Sequence, residues 1–78
     1  MEKRKIQAIA NKVAKMFCSP QPIVTRQKNT PEGYMGYEIR TELPSYEGGR
    51  ILQNRIEKAY SGVIVENLGG CVYFAYKP

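Results

Sequence analysis

The chain has 78 residues, 42 % of them hydrophobic and 24 % charged, and a formal net charge of +5. These values suit one small globular domain spanning residues 1–78, and they exclude a disordered tail. The sequence has no His, no Asp and no Trp. The commonest general acid–base side chain is therefore missing, and so is the orienting aspartate of a nucleophilic triad.

From the N-terminus, Ile6, Ile9, Ala10, Val13, Met16 and Phe17 recur at helical spacing. This pattern predicts an amphipathic helix over residues 2–17. Lys5, Ala8, Asn11, Lys12 and Lys15 fall on its other side, and Ser19-Pro20-Gln21-Pro22 ends it. The basic start, Met1 to Ile6, lacks the apolar run of a signal peptide, because Gln7, Asn11, Lys12 and Lys15 interrupt it. The expectation is a cytoplasmic protein that does not enter a membrane.

Two strands are predicted next, at residues 23–28 and 34–43, joined by the turn-rich Asn29-Thr30-Pro31-Glu32-Gly33. In the second, Met35, Tyr37, Ile39, Thr41 and Leu43 share one face, while Tyr34, Gly36, Glu38, Arg40 and Glu42 share the other. Such alternation marks a sheet with one buried side. Pro44-Ser45 then opens a second helix running to Tyr60, although Gly48-Gly49 leaves its start open by a turn. Ser61-Gly62 supplies a left-handed cap. Two final strands, 63–68 and 71–76, flank Gly69-Gly70, a tight-hairpin signal.

The order is αββαββ, an α+β fold in which two helices cover one face of a four-stranded antiparallel sheet. The halves echo one another, with Ile23-Val24-Thr25 through Gly36-Tyr37 answering Ile64-Val65-Glu66 through Tyr73-Phe74. The opposite sheet face has no cover within the chain. With Gly69-Gly70 as a two-residue turn, Leu68 opposes Cys71, Glu66 opposes Tyr73 and Ile64 opposes Ala75. Val63, Val65, Val72, Phe74 and Tyr76 are then core. Ile64, Leu68, Cys71 and Tyr73 join Tyr34 and Arg40 outside, a face more apolar than solvation alone would select. Tyr37 reads as core, and Tyr34 and Tyr46 as exposed.

Three functional classes follow. The first is stoichiometric protein contact through Tyr34, Arg40, Ile64 and Tyr73, as in a small inhibitor or adaptor of a larger machine. Small regulators of phages and mobile elements share this size and composition. Self-association into a homodimer through the same patch is a variant of that class. The second is nucleic-acid binding, because Lys3, Arg4, Lys5, Lys12 and Lys15 place five cations on the first helix against Glu2. Gly33-Tyr34-Met35-Gly36-Tyr37 also resembles the core strand of RNA-recognition sheets over five residues. The resemblance implies base stacking, but here an extra residue sends Tyr34 and Tyr37 to opposite faces. The Gly48-Gly49-Arg50 run is a minimal anion-site pattern. The third class, catalysis, has no constellation to carry it: Cys18 and Cys71 have no His as a base, and the glutamates are scattered. No metal or cofactor is implied, and the two cysteines read as free thiols.

Overall fold

A computed structural model describes residues 1–27, 32–43 and 45–78. Lys28, the turn residues Asn29, Thr30 and Pro31, and Pro44 at the start of the second helix lie outside the described residues. The elements are α1 (Lys3–Met16), β1 (Ile23–Gln27), β2 (Gly36–Arg40), α2 (Ser45–Ala59), β3 (Ile64–Gly69) and β4 (Val72–Tyr76). The αββαββ order holds, and the strands form one antiparallel sheet in the spatial order β1-β2-β4-β3.

Both helices lie on one side of the sheet. Helix α1 packs on β1 and on α2, and α2 packs on β3. Between the layers sit Ile6 and Val13 of α1, Leu52 and Ile56 of α2, and Ile39 of β2, all fully buried. Met16, expected in the inward stripe, is instead exposed, and Ala14 is buried in the same last turn of α1. Helix α1 ends in a Schellman motif: Ser19 N–H donates to Ala14 O (2.9 Å) and Cys18 N–H to Lys15 O (3.3 Å). Cys18 occupies the left-handed position of that motif, at φ 54°, where glycine is the usual residue.

Helix α2 starts before Gly48-Gly49, and both glycines are buried inside it. The reason is steric. A Cβ at Gly49 would lie 2.1 Å from the Tyr73 hydroxyl oxygen, so only glycine lets the helix settle onto that ring.

The β3–β4 hairpin departs from expectation. Gly69 pairs with Val72, so the two loop residues are Gly70 and Cys71, and Leu68 is left unpaired in a bulge between Asn67 and Gly69. The pairs are Glu66 with Phe74 and Ile64 with Tyr76, one residue away from the tight-turn register. Side chains alternate along a strand, so this single slip exchanges the two faces of β4. Tyr73, expected outside, faces the helices and is 3 % exposed. Val72, Phe74 and Tyr76, expected in the core, point away from the helices.

The register also relates the two halves. Swapping Gly36 with Val72 and Arg40 with Tyr76 maps the β2–β4 ladder onto itself. The same swap carries Ile23, opposite Arg40, onto Ile64, opposite Tyr76, and Val24 onto Val65. The halves thus correspond through an approximate two-fold axis between β2 and β4. Tyr37 then answers Tyr73, one residue from the alignment read in the sequence.

Candidate functional site

Three rows of side chains run across the uncovered sheet face. The first is Ile23, Arg40, Val72 and Gly69, and the second Thr25, Glu38, Phe74 and Glu66. The third runs through Gly36, Tyr76 and Ile64. Gly36 makes room at the centre. A Cβ there would come within 2.6 Å of both the Phe74 ring and the Ala75 carbonyl oxygen, so the ring edge lies close against bare backbone. Tyr76 packs beside Phe74 with centroids 5.6 Å apart, and Tyr34 stacks on Tyr76 at 6.0 Å and 10°. The outcome is a short aromatic ladder, Phe74–Tyr76–Tyr34, that leaves Phe74 only 7 % exposed without any helix over it.

Polar groups frame the ladder. The Tyr76 hydroxyl donates to Glu66 Oε1 at 2.6 Å, and Arg40 Nε donates to Glu38 Oε1 at 2.6 Å. The bond to Glu66 raises the Tyr76 phenol above its ordinary value, and partial burial and the nearby Glu66 and Glu32 charges add to it. Tyr73 is raised as well, first by burial under α2 and then by Cys71.

Around this frame the face remains apolar. Ile23 is 61 % exposed, Ile64 40 % and Leu68 57 %. Of the four residues expected to form the contact surface, Tyr34, Arg40 and Ile64 lie on this side and are exposed, while Tyr73 does not. Sequence reasoning missed Ile23, Val72, Phe74 and Tyr76. For Ile23 a signal was present: Val24 and Ile23 must face opposite ways, and both are large and apolar.

The five cations of α1 occupy the other side of the molecule. Lys3, Arg4, Lys5, Lys12 and Lys15 are all exposed. The Lys5 ammonium sits 5.2 Å from the Tyr60 ring centroid, and the Arg50 guanidinium is 5.7 Å from that of Tyr46. The sheet lies between this surface and the aromatic ladder, so the basic helix and the open sheet face cannot grip one segment of partner together.

Gly48-Gly49, both buried inside α2 with Gly49 against Tyr73, is not a free helix N-terminus and offers no anion cradle. Cys18 and Cys71 are exposed free thiols. Among the described residues no cluster of His, Cys, Asp or Glu could hold a metal ion, and no helix is long and apolar enough to cross a membrane. No family model, no curated protein and no solved structure matches the chain.

Proposed function

We propose that this chain is a non-catalytic binding protein that acts by stoichiometric contact with a larger protein, as a small inhibitor or adaptor does. One observation carries the reading. The sheet face that bears Ile23, Ile64 and the Phe74–Tyr76–Tyr34 ladder has no cover among the described residues. Aromatic and aliphatic side chains held rigid at the centre of a patch, with Arg40, Glu38 and Glu66 around them, match the composition of protein contact surfaces.

Geometry favours a larger partner over a second copy. Four strands about 4.8 Å apart and five residues of about 3.3 Å each give a projected face of about 300 Å². A standard interface buries about 800 Å² per partner. A flat contact limited to this face is therefore small, and a larger, concave protein can extend it over Met35, Leu68 and the segment after β2.

The test is capture from lysate on immobilised protein, after nuclease treatment, with three baits: wild type, Ile64→Asp, and Lys12→Glu. Ile64 is partly exposed, so its variant should keep the wild-type melting temperature within a few degrees. The reading requires a discrete band that is retained by Lys12→Glu and lost by folded Ile64→Asp. A band indifferent to Ile64→Asp would sink it.

A further inference from the structure

The two layers of this fold divide the charge unequally. With its N-cap, α1 carries Lys3, Arg4, Lys5, Lys12 and Lys15 against Glu2, and α2 carries Arg50, Arg55 and Lys58 against Glu47 and Glu57. The rest of the chain holds Arg26, Lys28, Arg40 and Lys77 against Glu32, Glu38, Glu42 and Glu66, which cancel. The helix layer therefore accounts for the whole net charge of +5. Among the described residues the ion pair is Arg40 with Glu38, on the sheet side; no helix-layer cation has a carboxylate partner.

Six of these eight cations also form one continuous surface, Lys3 lying on the Gln7 flank of α1 and Arg50 beside Gln53 on the β3 flank of α2. Gln7 donates to Pro22 O and accepts from Val24 N–H, which turns that flank of α1 toward β1. Lys5 over Tyr60 marks the opposite flank as the one beside α2. At about 100° per residue, Lys12 falls on that same flank, with Arg4 and Lys15 across the outward face. On α2, Gln53 donates to Val65 O and Glu57 accepts from Val65 N–H, so those residues face β3. Arg55 and Lys58 are left toward α1 and solvent. Glu57, one of the three acids, is thus drawn to the sheet edge, away from the seam between the helices.

We propose that this helix layer is a second binding surface, separate from the sheet face, and that it takes the phosphate backbone of duplex nucleic acid. From Arg4 to Lys15 the stripe covers about 16 Å of helix, enough to reach phosphates on both sides of a groove about 12 Å wide. Its centre is Ala8, which lets a backbone approach closely. Lysine is depleted at protein interfaces, while Lys and Arg supply backbone contacts to nucleic acid. A single strand would call for exposed rings to stack on. On this side Tyr60 is half-buried beneath Lys5, and the aromatic ladder is on the far face. The exposed ring of Tyr46, at 76 %, lies on the β3 flank of α2 with Gln53 and Asn67, away from α1. Of the α1 amides, Gln7 faces β1 and its Nε2 donates to Asn11 Oδ1 and Pro22 O, both at 2.8 Å, which ties Asn11 beside the stripe to the fold as well. With contact through Lys and Arg to phosphates, the binding proposed is independent of sequence.

The experiment is fluorescence anisotropy with two labelled 20-base-pair DNA duplexes of unrelated sequence, over a potassium chloride series. With four to five phosphates engaged, log K should fall with log salt at a slope of about −4, alike for both duplexes, and Kd should lie at about 10⁻⁴–10⁻⁶ M near physiological salt. Lys12→Gln should flatten the slope by about 0.9, and Lys5→Glu/Lys12→Glu/Lys15→Glu should abolish binding. Arg40→Glu and Ile64→Asp should leave it unchanged. Circular dichroism of each variant confirms that the fold survives. A slope near zero, an equal loss in Arg40→Glu, or equally tight binding to poly-glutamate at matched charge would overturn the proposal; the last would make the partner an acidic protein.

Discussion

Replacing Gly49 by alanine tests the packing of α2 on the sheet through the sign of the effect. On a free helix surface the change would stabilise by about 1 kcal/mol, because glycine is the poorer helix former. Here the new methyl would meet the Tyr73 hydroxyl oxygen at 2.1 Å and the ring carbon Cζ at 2.9 Å. The ring is buried and cannot swing aside. Overpacking costs about 1–3 kcal/mol, and so deep an overlap puts it near the upper end. The net loss is then about 2 kcal/mol, a large share of the ~4–12 kcal/mol that a chain of this length commands. Melting should move down by roughly 8–16 °C. Tyr73→Phe removes the oxygen and leaves only the milder carbon contact, so Gly49→Ala should be nearly neutral in that background. Urea unfolding of the four proteins, followed by circular dichroism, gives the coupling directly. Stabilisation by Gly49→Ala alone, or the same loss in both backgrounds, would refute the placement of Tyr73 beneath α2.

Other perturbations follow from single features. Thr41 is 4 % exposed and its Oγ1 has no hydrogen-bond partner, so Thr41→Val should raise stability by about 1 kcal/mol in urea unfolding. Cys18→Gly, at φ 54° in the cap of α1, should stabilise by about 1 kcal/mol by relieving a left-handed backbone, whereas Cys18→Val should destabilise. Tyr73 and Tyr76 both ionise later in the fold than in the unfolded chain. Stability should therefore be level with respect to these groups below about pH 10 and should decline as pH rises past it, where the unfolded chain loses protons first. Glu66→Ala should bring Tyr76 back toward its ordinary value in a tyrosinate absorbance titration.

Both helices were legible in the sequence because a period of 3.6 residues, repeated over four turns, survives local exceptions such as Met16. The strands and their order were legible from alternation and from Pro and Gly punctuation. The face of β4 was not, because it depends on one residue. Leu68 in the bulge and the two positive-φ glycines, Gly69 and Gly70, allow turns of different length from the same letters. The sheet's packing chose the register that hides Tyr73 under Gly49. That choice removed Tyr73 from the contact surface expected for it and put Phe74 and Tyr76 there instead. Tyr34, Arg40 and Ile64 kept their side because each lies before the slip. Gly48-Gly49 left the helix start open by a turn for a related reason: the need for glycine at Gly49 comes from a ring that lies 24 positions further on, while the start at Ser45 is as expected.

The division of charge between the layers has a kinetic consequence. A neutral sheet backed by a helix layer of +5 gives the molecule a strong dipole directed from the sheet to the helices. Near any polyanion that field exerts a torque before contact, turning the helices inward while the chain is still a Debye length away, about 8 Å at physiological salt. Productive orientation is then largely set before collision. On such an approach the aromatic face points away from the polyanion.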